Sequence, residues 1–143
     1  MRRPYYPKAL ALVAFILMGM GLYFIFLRAP LLPEDARYMD TTAAELQAAA
    51  PGLLRWLQKV FWVMGGYIFT SGLLTMYIAL SSFQSRARGA FPVMALAGFS
   101  SIGWMTIVNF MISSDFKWLL LMFALLWVAA LILYQIDRIE KGV

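Results

Sequence analysis

The side chains able to do chemistry in this sequence are seven carboxylates, a scatter of hydroxyls and a single asparagine, Asn109, while cysteine and histidine are absent. Thiol nucleophiles, disulfide exchange, thiolate or imidazole metal sites and His-ligated haem therefore have no residues to run on. Ten methionines offer thioethers to a soft metal, but the best pair, Met18 and Met20, stands two apart, and residues at that spacing point away from each other on a helix. Gap-filling in an irregular apolar core is the better account of them. No metal and no cofactor is expected. Thr42-x-x-Glu45 has the spacing of a helix cap, in which hydroxyl and carboxylate serve backbone N–H groups. Glu34, Asp35 and Asp40 could act on a lipid head group at a surface, but no motif accompanies them. No residue is assigned a catalytic role, and the protein is expected not to be an enzyme.

The elements that must position these groups are membrane helices. The chain has 143 residues, 63% hydrophobic and 13% charged, against about a half and a quarter in an average soluble domain. Residues 9–27, 60–85, 89–114 and 118–136 contain no Asp, Glu, Lys or Arg, and each run reaches the roughly 18 residues read as a membrane span. Intramembrane charges mark proton relays and voltage sensors, so those functions lose their usual residues. Arg2, Arg3 and Lys8 ahead of the first run resemble a secretory leader. However, the run exceeds the usual ~7–15 apolar residues, and Leu27-Arg28-Ala29-Pro30 lacks a small-x-small cleavage pattern, so a retained first helix is expected.

Pro30 and Pro33 end that helix. In the segment 28–59, Glu34, Asp35, Asp40 and Glu45 balance Arg28, Arg37, Arg55 and Lys59. Pro33-Glu34-Asp35 puts proline and acids in a first helical turn, and Thr42 opens a second short helix that Pro51 stops. Leu53, Leu54, Leu57, Val60 and Phe61 then recur at helical spacing, as in a helix entering the bilayer obliquely with Arg55 and Lys59 snorkelling. The sequence thus predicts an all-α membrane protein, a single membrane domain 1–143. It is an antiparallel four-transmembrane-helix bundle with spans at about 9–27, 60–83, 90–113 and 117–136, and short interfacial helices in the first loop.

Arg2, Arg3, Lys8, Arg86, Arg88, Arg138 and Lys141 fall on the face of the termini, with Asp137 and Glu140 as its acids, whereas bases and acids balance on the other. The positive-inside rule places both termini in the cytoplasm. Tyr5, Tyr6, Phe83, Phe91 and Tyr134 would girdle the inner interface, and Tyr23, Phe26, Trp56, Trp62, Phe110 and Trp118 the outer one. The basic character, pI ≈ 9.7, reads as anchoring on anionic lipid. No nucleic-acid partner is expected, because the bases are spread over three short segments.

Inside the spans, Ala95, Gly98, Ile102, Thr106, Asn109 and Ser113 fall on one stripe of the third helix. Close helix packing in lipid selects such small and hydroxyl-bearing residues. Thr106 and Asn109 are expected to bond across to another helix as structural glue; the rival role is a polar lining for a pore or cleft. Gly65, Gly72 and Ala79 repeat every seven residues in the second helix, and Ala11, Ala14, Met18, Gly21 and Ile25 run at +3 and +4 along the first as another small-residue seam. Tyr67, Thr70, Ser71 and Thr75 form a polar stripe on another side of the second helix, an oligomerisation or conduction signal. The fourth helix, richest in bulky aliphatics over 119–133, is expected to be the most lipid-exposed. Leu32 to Tyr38 is the densest polar cluster and the partner-facing candidate, with Glu34, Asp35 and Arg37 as contacts; its plainer reading is a cover over the outer bundle end, with Glu34 paired to Arg37.

With Pro33-Glu34-Asp35 after the first span, Gly65-Gly66 in the second, a polar third span and Ser114-Asp115-Phe116-Lys117-Trp118 before the fourth, nearly the whole chain resembles uncharacterised small four-span bacterial integral membrane proteins. The resemblance implies the bacterial cytoplasmic membrane and brings no activity and no functional residue. The expectation is an accessory, assembly or interaction subunit whose partners are the lipid bilayer and a protein bound at 28–59. The alternative is a small homo-oligomeric channel or permease for a small solute or ion, using the stripes of the second and third helices.

Overall fold

In the computed structural model, residues 5–140 are described, and every regular element among them is helical. Helix α1 is Tyr6–Phe26, with Pro7 tolerated in its first turn. Two short helices follow, α2 (Pro33–Tyr38) and α3 (Ala43–Ala49). Helix α4 (Leu53–Ile78) continues into a π-helical turn, Ala79–Phe83, so the expected oblique helix and the second span are one rod of 31 residues. At 1.5 Å per residue it is about 46 Å long, which exceeds a ~30 Å hydrocarbon core, and Arg55 and Lys59 lie in its first two turns. The third span is α5 (Ala90–Gly98), a second π turn (Phe99–Gly103) and α6 (Trp104–Met111); the fourth is α7 (Lys117–Glu140). Among the described residues, four helices are therefore long and apolar enough to cross a membrane. Arg2, Arg3 and Lys141, which enter the charge count, lie outside the described residues.

Both π turns hold a serine pair. Ser81 donates to the Tyr77 carbonyl at 2.6 Å, and Ser100 and Ser101 donate to the Leu96 and Ala97 carbonyls at 2.8 and 2.5 Å. Hydroxyls that bond four residues back compete with the helix ladder and bend it.

Glycine decides which helices approach closely. A Cβ on Gly72 would meet Met18 and the Ala14 carbonyl, one on Gly65 the Gly21 carbonyl and Ile25, and one on Gly21 the Phe69 backbone, all within 2.9 Å. Contacts that rise along α1 thus fall along α4, and the two seams expected from the sequence mesh. A Cβ on Gly98 would collide with the Trp127 indole, whose Nε1 donates to the Met94 carbonyl at 3.0 Å. The molecule is accordingly one tight pair, α1 with α4, with α7 packed about equally on α1 and on the third span.

Two expectations, on the fourth helix and on the aromatic girdle, meet the structure here. Helix α7 buries Leu120, Trp127, Ala130 and Tyr134 where it packs on α1, α5 and α6, yet its buried share equals that of the second and third spans and lies below that of α1, so it shares the outward-facing surface with them rather than standing out as the most exposed. Bulky aliphatics mark apolar surroundings without distinguishing lipid from neighbouring helices, and Trp127 fills the notch at Gly98. The girdle expectation is overturned for Tyr6, Phe83 and Tyr134, which are 2%, 0% and 6% exposed. They stack on one another with ring centroids 4.6 to 5.5 Å apart, Phe91 joining at 5.4 Å from Tyr134. Tyr5, at 68% exposed, does face outward.

Candidate functional site: a lateral cleft with a polar end

Because α4 packs mainly on α1 and the third span on α7, the two make their main contact near the short turn that joins them, where the first π turn packs on α5. Farther along they diverge. The gap is a half-open cleft of about 850 Å³, walled by α4 and by the second π turn with α6, and floored by Leu17 and Met20 of α1 and Leu120 and Phe123 of α7. Ile68, Met105 and Trp104 make the walls largely apolar. From Val60 to Ser71, the α4 residues that line it, the helix rises about 16 Å, half the ~30 Å hydrocarbon thickness of a bilayer.

One end of the cleft is polar, built by the chain that crosses it. Arg28, just past α1, is buried; its guanidinium donates to Asp35 at 3.0 Å and to the Ala29 carbonyl at 2.9 Å. The same group lies 3.4 Å from the centre of the Phe61 ring and 5.4 Å from that of Phe24, a cation–π arrangement. Asp35 also accepts the Leu32 N–H at 2.9 Å, which fixes the start of α2. Glu34, next in the chain and 4% exposed, takes the Ser114 hydroxyl at 3.4 Å. Ser114 in turn accepts the Phe116 N–H at 3.1 Å, ahead of α7. Outside the cleft, Arg37 binds Asp115 at 2.8 Å with both side chains more than half exposed, and Gln58 donates to the Arg28 carbonyl at 3.2 Å. Helix α2 is therefore a strap tied to the starts of α4 and α7.

The sequence candidates divide accordingly. Asn109, Tyr67, Ser71, Glu34 and Asp35 all line the cleft. Thr75 and Thr106 are buried elsewhere in the packing, and Arg37 lies on the surface strap. The expected Glu34–Arg37 pair does not form: each residue has a partner near the start of α7, because the turn leading into α7 brings Ser114 and Asp115 closer than any geometry within α2. The expected bonds from Thr106 and Asn109 to another helix are absent too. Thr106 donates to the Ile102 carbonyl at 2.7 Å and Asn109 to the Met105 carbonyl at 2.9 Å, both within their own helix. Asn109 faces a gap and Thr106 is buried, and the acceptor each uses is the carbonyl four residues back.

Arg28, Ser114, Ser100 and Ser101 belong to the site as well and were not singled out from the sequence. The adjacent serines in an otherwise apolar helix were a usable signal. Arg28 was not, since its partner lies in the next element. Comparison with protein-family models, with curated proteins and with solved structures found no match.

Proposed function

We propose that this chain is a non-enzymatic integral membrane protein acting as an accessory, assembly or interaction subunit, and that its working surface is the lateral cleft together with the strap over it. The observation that carries this reading is the cleft itself: a large, mostly apolar gap between two spans, with all its charges gathered at one end. Such a shape receives a hydrophobic object from the side. In this reading the four spans form an antiparallel bundle in the bacterial cytoplasmic membrane with both termini in the cytoplasm. The strap helices α2 and α3 then lie at the outer interface, where exposed Phe26, Trp56 and Trp118 suit the head-group level.

Two experiments test it. A reporter fused after Val143 should behave as cytoplasmic and one inserted near Ala48 as extracytoplasmic. Purification in mild detergent should return the protein with a stoichiometric companion, and a bare monomer that retains no companion of any kind would sink the reading. The channel or permease alternative draws on one observation, that Tyr67, Ser71, Ser101 and Asn109 all face the same gap. It predicts that Asn109→Asp keeps its stability and alters flux in reconstituted vesicles. The accessory reading predicts lost stability and no flux, because a carboxylate among apolar walls is driven toward its neutral form.

A further inference from the structure

We propose that the cleft binds a long-chain amine, with its ammonium head against Glu34 and Ser114 and its hydrocarbon chain lying between α4 and the third span. This rests on the reading of the cleft as a receptor for a hydrophobic object and names the class of that object. Three observations point there. The volume, about 850 Å³, lies within the ~300–1,000 Å³ of small-molecule sites, which pair apolar walls with a few placed polar groups. The lined length of α4, about 16 Å by helical rise, matches one leaflet and therefore a chain anchored at one membrane face.

The charge of the polar end decides the head. Arg28 has its charge matched by Asp35, commits two of its five N–H donors to Asp35 and the Ala29 carbonyl, and is covered by Phe61 and Phe24. Glu34 is as buried as the core yet holds a single long hydrogen bond from Ser114, and among the described residues no Lys or Arg nitrogen lies within 4.0 Å of it. The three ionisable groups that line the end, Arg28, Asp35 and Glu34, leave one negative charge without a counter-charge. An anionic head would meet two carboxylates. A phosphate-bearing zwitterion would bring its phosphate to the same place, whereas a simple ammonium supplies the missing charge and the missing donor, and the aromatic faces around it attract cations.

The test is photolabelling of the full chain in phosphatidylcholine nanodiscs with three chain-matched diazirine probes, a hexadecyl amine, alcohol and carboxylic acid, and with a diazirine phosphatidylethanolamine as fourth arm. Labels should fall on cleft residues such as Met64, Met105 and Phe123. The amine should exceed the acid by at least about tenfold, the ratio one charge-assisted hydrogen bond supports. Glu34→Gln keeps an acceptor for Ser114 and should bring the amine down to the level of the alcohol. Ser101→Trp, which leaves the polar end untouched, should exclude all probes, so the proposal stays testable if Glu34→Gln fails to fold. Equal labelling by all heads, preference for the acid or for phosphatidylethanolamine, or labelling indifferent to both variants overturns the proposal. An unlabelled cleft in a preparation carrying a stoichiometric protein companion also overturns it but leaves the accessory reading standing. An unlabelled cleft with no companion and measurable solute flux defeats both.

Discussion

The two ends of this molecule are built from the same parts and finish differently. At the turn end, Arg86 sits beside Asp137 and over the rings of Tyr6 and Tyr134, 5.6 and 5.7 Å from their centres, as Arg28 sits beside Asp35 and over Phe61 and Phe24 at the other end. The Tyr6 hydroxyl accepts from Arg86 Nε at 3.3 Å and donates to the Gln84 carbonyl at 3.1 Å. That hydrogen bond raises the proton affinity of Arg86, against the opposing effect of burial and with Asp137 adding to it. Yet the turn end is filled by stacked rings, and the strap end is hollow. The difference lies in connection length: a short turn, with Arg86 at φ 58° and Gly89 at φ 87°, forces α4 and α5 together, while the strap reaches across a gap that no side chain fills. One end holds by packing and the other by polar ties.

That contrast predicts opposite responses to added volume. Gly98→Leu places atoms where the Trp127 indole lies and should destabilise the protein by about 3 kcal/mol or more, the largest effect expected here. Ser101→Leu, one turn away but facing the cleft, should lie within about 1 kcal/mol of the parent, since the gap receives the side chain and an apolar wall is extended. Thermal melting in one detergent compares the two. Equal losses would mean that the cleft-facing side of the third span is no softer than its side packed on α7.

Removing a polar tie should weigh on the hollow end. Arg28→Ala strips the counter-charge from Asp35, whose side chain is 22% exposed, and should cost about 2–3 kcal/mol, somewhat below the 3–5 of a fully buried pair. Protease sensitivity should rise within 33–49 while the 84–89 turn stays protected. Tyr6→Phe at the other end loses only a hydroxyl from a stack that keeps its rings, so about 1 kcal/mol is expected. A reversed order would show that the strap is fastened by something other than Arg28.

The smallest effect is local and follows pH. The Thr42 N–H, then the Thr42 and Thr41 hydroxyls, hold the exposed Glu45 carboxyl below its ordinary value of 4.5. A depressed carboxylate stabilises above its unfolded pKa and stops doing so as pH falls through its folded one. The hydrogen-exchange protection of Glu45 N–H should therefore be constant from neutral pH down to about 4.5 and be lost on further acidification. Glu45→Gln should flatten that profile. The strap's Arg28–Asp35 tie should persist through the loss of the α3 cap, because α3 buries no residue of its own.

Much of this was present in the chain order alone. Charge-free runs fix the four long helices, because unpaired backbone and charged side chains are excluded from hydrocarbon whatever the topology. Glycines seven apart on one helix and small residues at +3 and +4 on another fix a close seam, because a missing Cβ is a local property read directly from residue type. Thr42 and Glu45 meet as a cap because both partners lie within one turn. What only the tertiary structure decided is everything that depends on two distant segments at once. Glu34 chose Ser114 over Arg37, Arg28 found Phe61, Trp127 fitted against Gly98, and α4 and the third span, each packed on another helix, left the cleft between them. A void is made by what its walls bind elsewhere, and no residue type or spacing within either wall carries that information.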